Sequence, residues 1–138
     1  MRPGAIASMA AVGVLVAVPA AGEVANWAFL TSVGGFSISQ PKRAAAGWVL
    51  PVQGDVSGLR TITTKPTVMH SAIACLETQA TVEGRTITLR VIIGGAGSGR
   101  NAECPPATLG AIAPGTYSVQ YRGPNESAVP LGSIVVAP

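Results

Sequence analysis

His70 is the single histidine of this 138-residue chain and Asp55 the single aspartate, so a Ser-His-Asp arrangement has one base and one orienter to draw on. Nothing around Ser71 or the other serines marks the strained turn of a nucleophile elbow. His70, flanked by Met69 and Ser71 downstream of Pro66, reads as a loop or strand-end histidine. Glu77, Glu83, Glu103 and Glu126 are spread along the chain, three of them on turn or loop sequence, and give no positive signal for a paired-carboxylate hydrolase. No catalytic residue is assigned, and the chain is expected not to be an enzyme.

Cys75 and Cys104 are the only cysteines, 29 residues apart. In an exported chain an even count predicts a disulfide, and closing a loop of that length stabilises by about 3–4 kcal/mol on the chain-entropy account. Two cysteines and one histidine without short ligand spacing do not make a tetrahedral metal site, so no metal is expected. The glycine-rich stretch from Gly94 to Arg100 follows a strand-like run, as a phosphate loop does. It misses the G-x-G-x-x-G spacing, no Lys-Ser or Lys-Thr pair follows it, and residues 101–106 cannot open a helix. It reads as a strand connection, and no cofactor is expected. The arginines are scattered and only Lys42-Arg43 forms a basic pair, which argues against nucleic-acid binding. Asn125-Glu126-Ser127 matches a glycosylation triplet, but the Ala/Gly/Val-rich composition has a bacterial look, and the stretch is read as a turn.

Residues 1–22 have the three parts of a secretory signal peptide. Arg2 is the only charge before Glu23, an apolar run from Ala5 to Val18 follows, and small residues stand at the exit, Val18-Pro19-Ala20-Ala21-Gly22. A run of about 14 residues spans ~21 Å as a helix, short of the ~30 Å hydrocarbon core. Extending it to Leu30 would bury Glu23 and Asn26 in lipid. Cleavage after Ala20, Ala21 or Gly22 is expected, with the product secreted or periplasmic and not held in a membrane.

The rest of the chain must position whatever chemistry there is. Hydrophobic residues make 48% and charged ones 11%, which excludes intrinsic disorder. Seventeen glycines and eleven prolines exceed what a helical bundle tolerates and fit a loop-rich β domain. Residues 23–47 read either as short strands, Trp27 to Val33 and Phe36 to Ser39, or as a linker. Trp48 to Leu50 starts a strand that Pro51 confines to an edge or an end, opening a domain over residues 48–138. Leu59 to Lys65 is threonine-rich and β-prone. The clearest element is a hairpin, Ile73 to Val82 and Thr86 to Ile93 around Glu83-Gly84-Arg85, with Ile87, Leu89, Val91 and Ile93 on one face. Further strands are read at Ala107 to Ile112, at Thr116 to Arg122 with Tyr117, Val119 and Tyr121 on one face, and at Leu131 to Val136. Pro114-Gly115 fits the centre of a type II turn. The sum is an all-β domain of six or seven strands, nearly all antiparallel.

Leu109 to Val119, with Pro114-Gly115-Thr116-Tyr117 at its centre, resembles the corner of fibronectin type III-like and other immunoglobulin-like sandwiches. Val82 to Leu89 is similar to a hairpin that small exported bacterial proteins of unknown role combine with such a corner. The resemblance covers residues 73–138. It implies a single antiparallel immunoglobulin-like β-sandwich in which Tyr117 packs inward and bonds nearby backbone, making Pro114, Gly115 and Tyr117 a structural corner. No tryptophan lies between the cysteines, so Cys75–Cys104 is expected to pin the loop before Pro105 to a neighbouring strand instead of bridging the sheets as in antibodies. The function expected is an exported, non-catalytic binding or structural module acting on a protein or envelope component. The alternative is a small secreted enzyme or inhibitor, which calls for a concavity lined by His70 or by two glutamates. Residues 27–40, apolar and without an obvious partner in the hairpins, are a candidate segment for strand exchange in an oligomer.

Overall fold

The computed structural model describes residues 22–97 and 101–138. The expected signal segment up to Ala21 and the centre of the glycine-rich loop, residues 98–100, lie outside the described residues. Among the described residues the fold is all-β apart from one short helix, and the strands form three sheets.

The period-two alternation builds the largest sheet. β6 (Ile73–Glu83) and β7 (Thr86–Gly95) pair from Glu83↔Thr86 to Ile73↔Gly95 around Gly84-Arg85. Ile87, Leu89, Val91 and Ile93 are buried, as their spacing predicts. β9 (Gly115–Tyr121) buries Tyr117, Val119 and Tyr121 and pairs antiparallel with β10 (Val129–Val136). Against β7, however, β9 runs parallel, from Thr86↔Ser118 to Leu89↔Tyr121. The connection between β7 and β9 crosses to another sheet and returns, so the chain re-enters in the same direction. Alternation reports a strand's faces and carries no sign of its direction. β1 (Glu23–Val24) lies along the far half of β7, where β9 no longer reaches.

The two smaller sheets share one bent hairpin. β2 (Phe36–Ile38) pairs with β5 (Val52–Gly54), and β3 (Lys42–Ala44) with β4 (Gly47–Leu50). Pro41 and Pro51 interrupt the ladder between those halves because proline has no N–H to donate. β8 (Ala107–Gly110) adds to the free side of β4. The expectation of six or seven strands in one sandwich is thus corrected, among the described residues, to ten strands in three sheets whose inner faces meet in one core, an arrangement compatible with a β-sandwich.

Two local readings change. Residues Trp27–Ser32 form a helix, α1, where a strand or linker was expected. Asn26 caps it by accepting the Phe29 N–H at 2.8 Å, and the Glu126 carboxylate, 99 residues away, accepts the Trp27 N–H at 2.9 Å. Leu59 to Lys65 forms no strand. Its amides at Ile62, Thr63 and Thr64 converge on the Gly34 carbonyl at 2.9, 2.9 and 3.1 Å. Gly34 sits at φ 123° with the Arg60 carbonyl where a Cβ would stand, so that loop needs glycine there. Residues 27–40 also pack into their own fold through Leu30, Val33 and Phe36. The observation that pointed to strand exchange, an apolar segment without a partner, is therefore not met.

Tyr121 holds the middle of this core. Its ring meets Trp27 and Phe36 at centroid distances of 5.5 and 5.9 Å. Its hydroxyl donates to the Ala25 carbonyl and accepts the Val91 N–H at 3.1 Å, standing in the ladder between β7 and the start of the chain. Tyr121→Phe strands both backbone groups in the core and is expected to cost about 2–4 kcal/mol in denaturant unfolding. Burial pushes the phenol up to about 12 from its ordinary 10.0. The unfolded chain therefore ionises first. Stability from this group is full below about pH 10 and falls as pH rises toward about 12, a slope the Phe variant lacks.

Candidate functional site

Asp55, His70 and Ser71 lie on the loop after β5. Asp55, at its start, is 8% exposed and accepts both the N–H (2.9 Å) and the hydroxyl (2.5 Å) of Ser57. The Ser57 oxygen in turn accepts the Leu59 N–H at 3.3 Å, closing a tight local turn. Arg60 reaches Glu103 at 2.9 Å and stands 3.9 Å from Asp55, tying the turn to the segment before Cys104. The loop then folds over the end of α1 and returns, where the His70 N–H donates to the Ser57 carbonyl at 2.8 Å. The His70 ring stacks on Phe29 with centroids 5.5 Å apart.

Ser57 and His70 line an open concavity of about 310 Å³ together with Leu59, Met69, Ile73, Asn101 and Ala102. Leu59 and Met69 are 72% and 71% exposed, so its rim is apolar. The concavity that the enzyme alternative calls for is thus lined by His70. There the Asp55 carboxylate bonds Ser57 directly, and one face of the imidazole stacks on a phenyl ring. The glutamates do not converge. Glu77 and Glu83 lie on the exposed face of β6, Glu103 pairs with Arg60, and Glu126 accepts from Trp27 and Gly123. Among the described residues no group of three or more His, Cys, Asp and Glu gathers as a metal site would require, and no helix is long and apolar enough to cross a membrane.

Cys75 and Cys104 are disulfide-bonded with Cα atoms 5.0 Å apart. Cys75 lies on β6 at a bulge, and Cys104 on the segment leading to β8. The Cys75 N–H donates to the Asn101 carbonyl (3.1 Å), and the Cys104 N–H to the Gly54 carbonyl (2.9 Å). The bond therefore joins the largest sheet to the bent hairpin through the stretch before Pro105.

At the other end, Tyr117 is 3% exposed and its hydroxyl donates to the Ala113 carbonyl at 2.7 Å. Gly115 has a φ of 139°, which favours glycine, but it opens β9 directly. Sequence reasoning missed Arg85, whose guanidinium lies 5.0 Å over the Tyr117 ring and donates to the Pro114 carbonyl at 2.9 Å. That arginine in a hairpin turn beside a Pro-Gly corner was the only available signal. Arg43 of the basic pair lies 4.7 Å over Trp48 and is likewise engaged in packing.

Comparison with protein-family models, with curated proteins and with solved structures finds no match to this chain. Replacing both cysteines, Cys75→Ser with Cys104→Ser, is expected to lower stability by about 3–4 kcal/mol. Chemical denaturation of the variant beside the oxidised protein measures this.

Proposed function

We propose that this chain is an exported, non-catalytic module of immunoglobulin-like sandwich type, with a binding or structural role in the cell envelope or outside the cell. The observation that carries the reading is the separate engagement of the one aspartate and the one imidazole, Asp55 with Ser57 and His70 with Phe29. A disulfide between the only two cysteines fits a non-reducing, extracytoplasmic compartment. The corner at Pro114, Gly115 and Tyr117 supports the sandwich type, with Tyr117 inward and bonded to backbone. A second reading, a small secreted enzyme or inhibitor, draws on Ser57, His70 and Ser71 sharing one concavity.

Two measurements separate these readings. Fractionation of cells making the full chain is expected to recover it outside the cytosol, beginning after Ala20, Ala21 or Gly22, with no thiol open to alkylation. Recovery in the cytosol with both thiols free overturns export. A serine-reactive fluorophosphonate is expected to leave Ser57 and Ser71 unlabelled. Labelling that His70→Ala abolishes would establish the enzyme reading instead.

A further inference from the structure

The outer edge of β6 carries no ladder beyond its bulge, and the opposite strand shows which backbone groups face it. Val91 directs its N–H to the Tyr121 hydroxyl and its C=O to the Ala25 N–H, and Leu89 directs its C=O to the Arg122 N–H. All three point away from β6. Thr78↔Val91 and Ala80↔Leu89 are therefore the pairs that exchange no hydrogen bonds. The N–H and C=O groups of Thr78, Ala80 and, by alternation, Val82 face outward. Among the described residues no strand pairs with them. Asn101 covers the edge at Cys75, but Pro105-Pro106 then offers no N–H, and β8 packs beside β6 without a ladder.

Further features mark this edge as a place for an incoming chain. A groove of about 340 Å³ follows it, lined by residues 77–81 of β6 and by Pro106 and Thr108. Thr78 lines that groove while 4% exposed, and its hydroxyl has no hydrogen-bond partner among the described residues. A buried hydroxyl in that condition is one that a ligand can satisfy. On the solvent face of β6 stand Glu77, Gln79, Thr81 and Glu83, all exposed. Neither glutamate belongs to an ion pair among the described residues.

We infer that the β6 edge receives an extended, basic peptide segment of a partner protein as an added strand. Its backbone completes the ladder on Thr78, Ala80 and Val82, and its lysine or arginine side chains lie beside Glu77 and Glu83. Those glutamates are separated by ~20 Å along the strand, so the cations stand near the two ends of a peptide of about seven residues. Charge also disfavours the most fully overlapped pairing with a second copy of this chain. Pairing β6 with its own duplicate about Ala80 sets Glu77 against Glu83 at both ends, like charge directly opposite like charge.

This inference rests on the binding reading proposed above, and its test separates the two. The exported, oxidised chain is titrated with a peptide of about seven residues, lysine at both ends and alternating threonine and valine between, and with its glutamate-ended counterpart. The lysine peptide is expected to bind and to slow amide hydrogen exchange at Thr78, Ala80 and Val82 by about tenfold or more. Ala80→Pro removes an outward N–H without removing a ladder bond, and should weaken binding by about tenfold or more. Glu77→Lys with Glu83→Lys should transfer the preference to the glutamate peptide. If Ala80→Pro does not fold by circular dichroism, the charge-reversal pair and the exchange pattern decide. Absence of saturable binding overturns the inference, as does unchanged binding by a folded Ala80→Pro variant or protection around Met69 and His70 instead of β6. A dimer that Ala80→Pro dissociates would assign the edge to a second copy and equally overturn it. In each of those cases an exported chain with unlabelled serines leaves the non-catalytic reading standing.

Discussion

The bond between Cys75 and Cys104 is the constraint around which the two candidate surfaces are arranged. It crosses the seam where the largest sheet meets the bent hairpin, at a place where Pro105 and Pro106 leave the backbone without donors to continue a ladder. On one side of it, Asn101 and Ala102 form a wall of the His70 concavity; on the other, Pro106 and Thr108 form a wall of the groove along β6. One covalent link thus sets the position of a short segment that both surfaces share. That is the service a disulfide gives a small domain whose sheets are too short to hold one another by backbone pairing alone.

Elsewhere, side chains complete what interrupted ladders leave unfinished. Gln40 caps the edge of β10 with both ends of its amide, accepting the Val135 N–H at 3.1 Å and donating to the Ser133 carbonyl at 3.5 Å. The Tyr121 hydroxyl stands between Val91 and Ala25, and the Glu126 carboxylate serves the amides of Trp27 and Gly123. Each supplies a side-chain atom where a backbone partner is missing, at a sheet edge or an element end. The far half of β6 has no such substitute among the described residues. Against that background its edge without a ladder, its groove and the unpartnered Thr78 hydroxyl stand apart from the rest of the molecule.

The chemistry-bearing residues teach a related point. His70, Asp55 and the serines are easily noted in the sequence, and three of them, Asp55, Ser57 and His70, do come close in space. Asp55 serves a local turn, two residues on from itself, and one face of the imidazole stacks on Phe29. Leu59 and Met69 give that concavity an apolar rim.

What could be read from the residues was what neighbours a few positions apart decide. The β6–β7 hairpin and the buried face of β9 follow from period-two alternation, the β10 strand from its β-branched run, and the cysteine pairing from a count of two. These rest on side-chain spacing and on the scarcity of alternatives. The helix at Trp27–Ser32 was out of reach because six residues hold less than two turns of period, and one of its caps comes from Glu126 at the other end of the chain. The parallel β7–β9 pairing, the convergence of Ile62, Thr63 and Thr64 on Gly34, and the edge of β6 without a ladder were equally hidden. Each depends on which distant backbone groups find a partner and which do not, and no stretch of sequence carries that information until the chain has closed on itself.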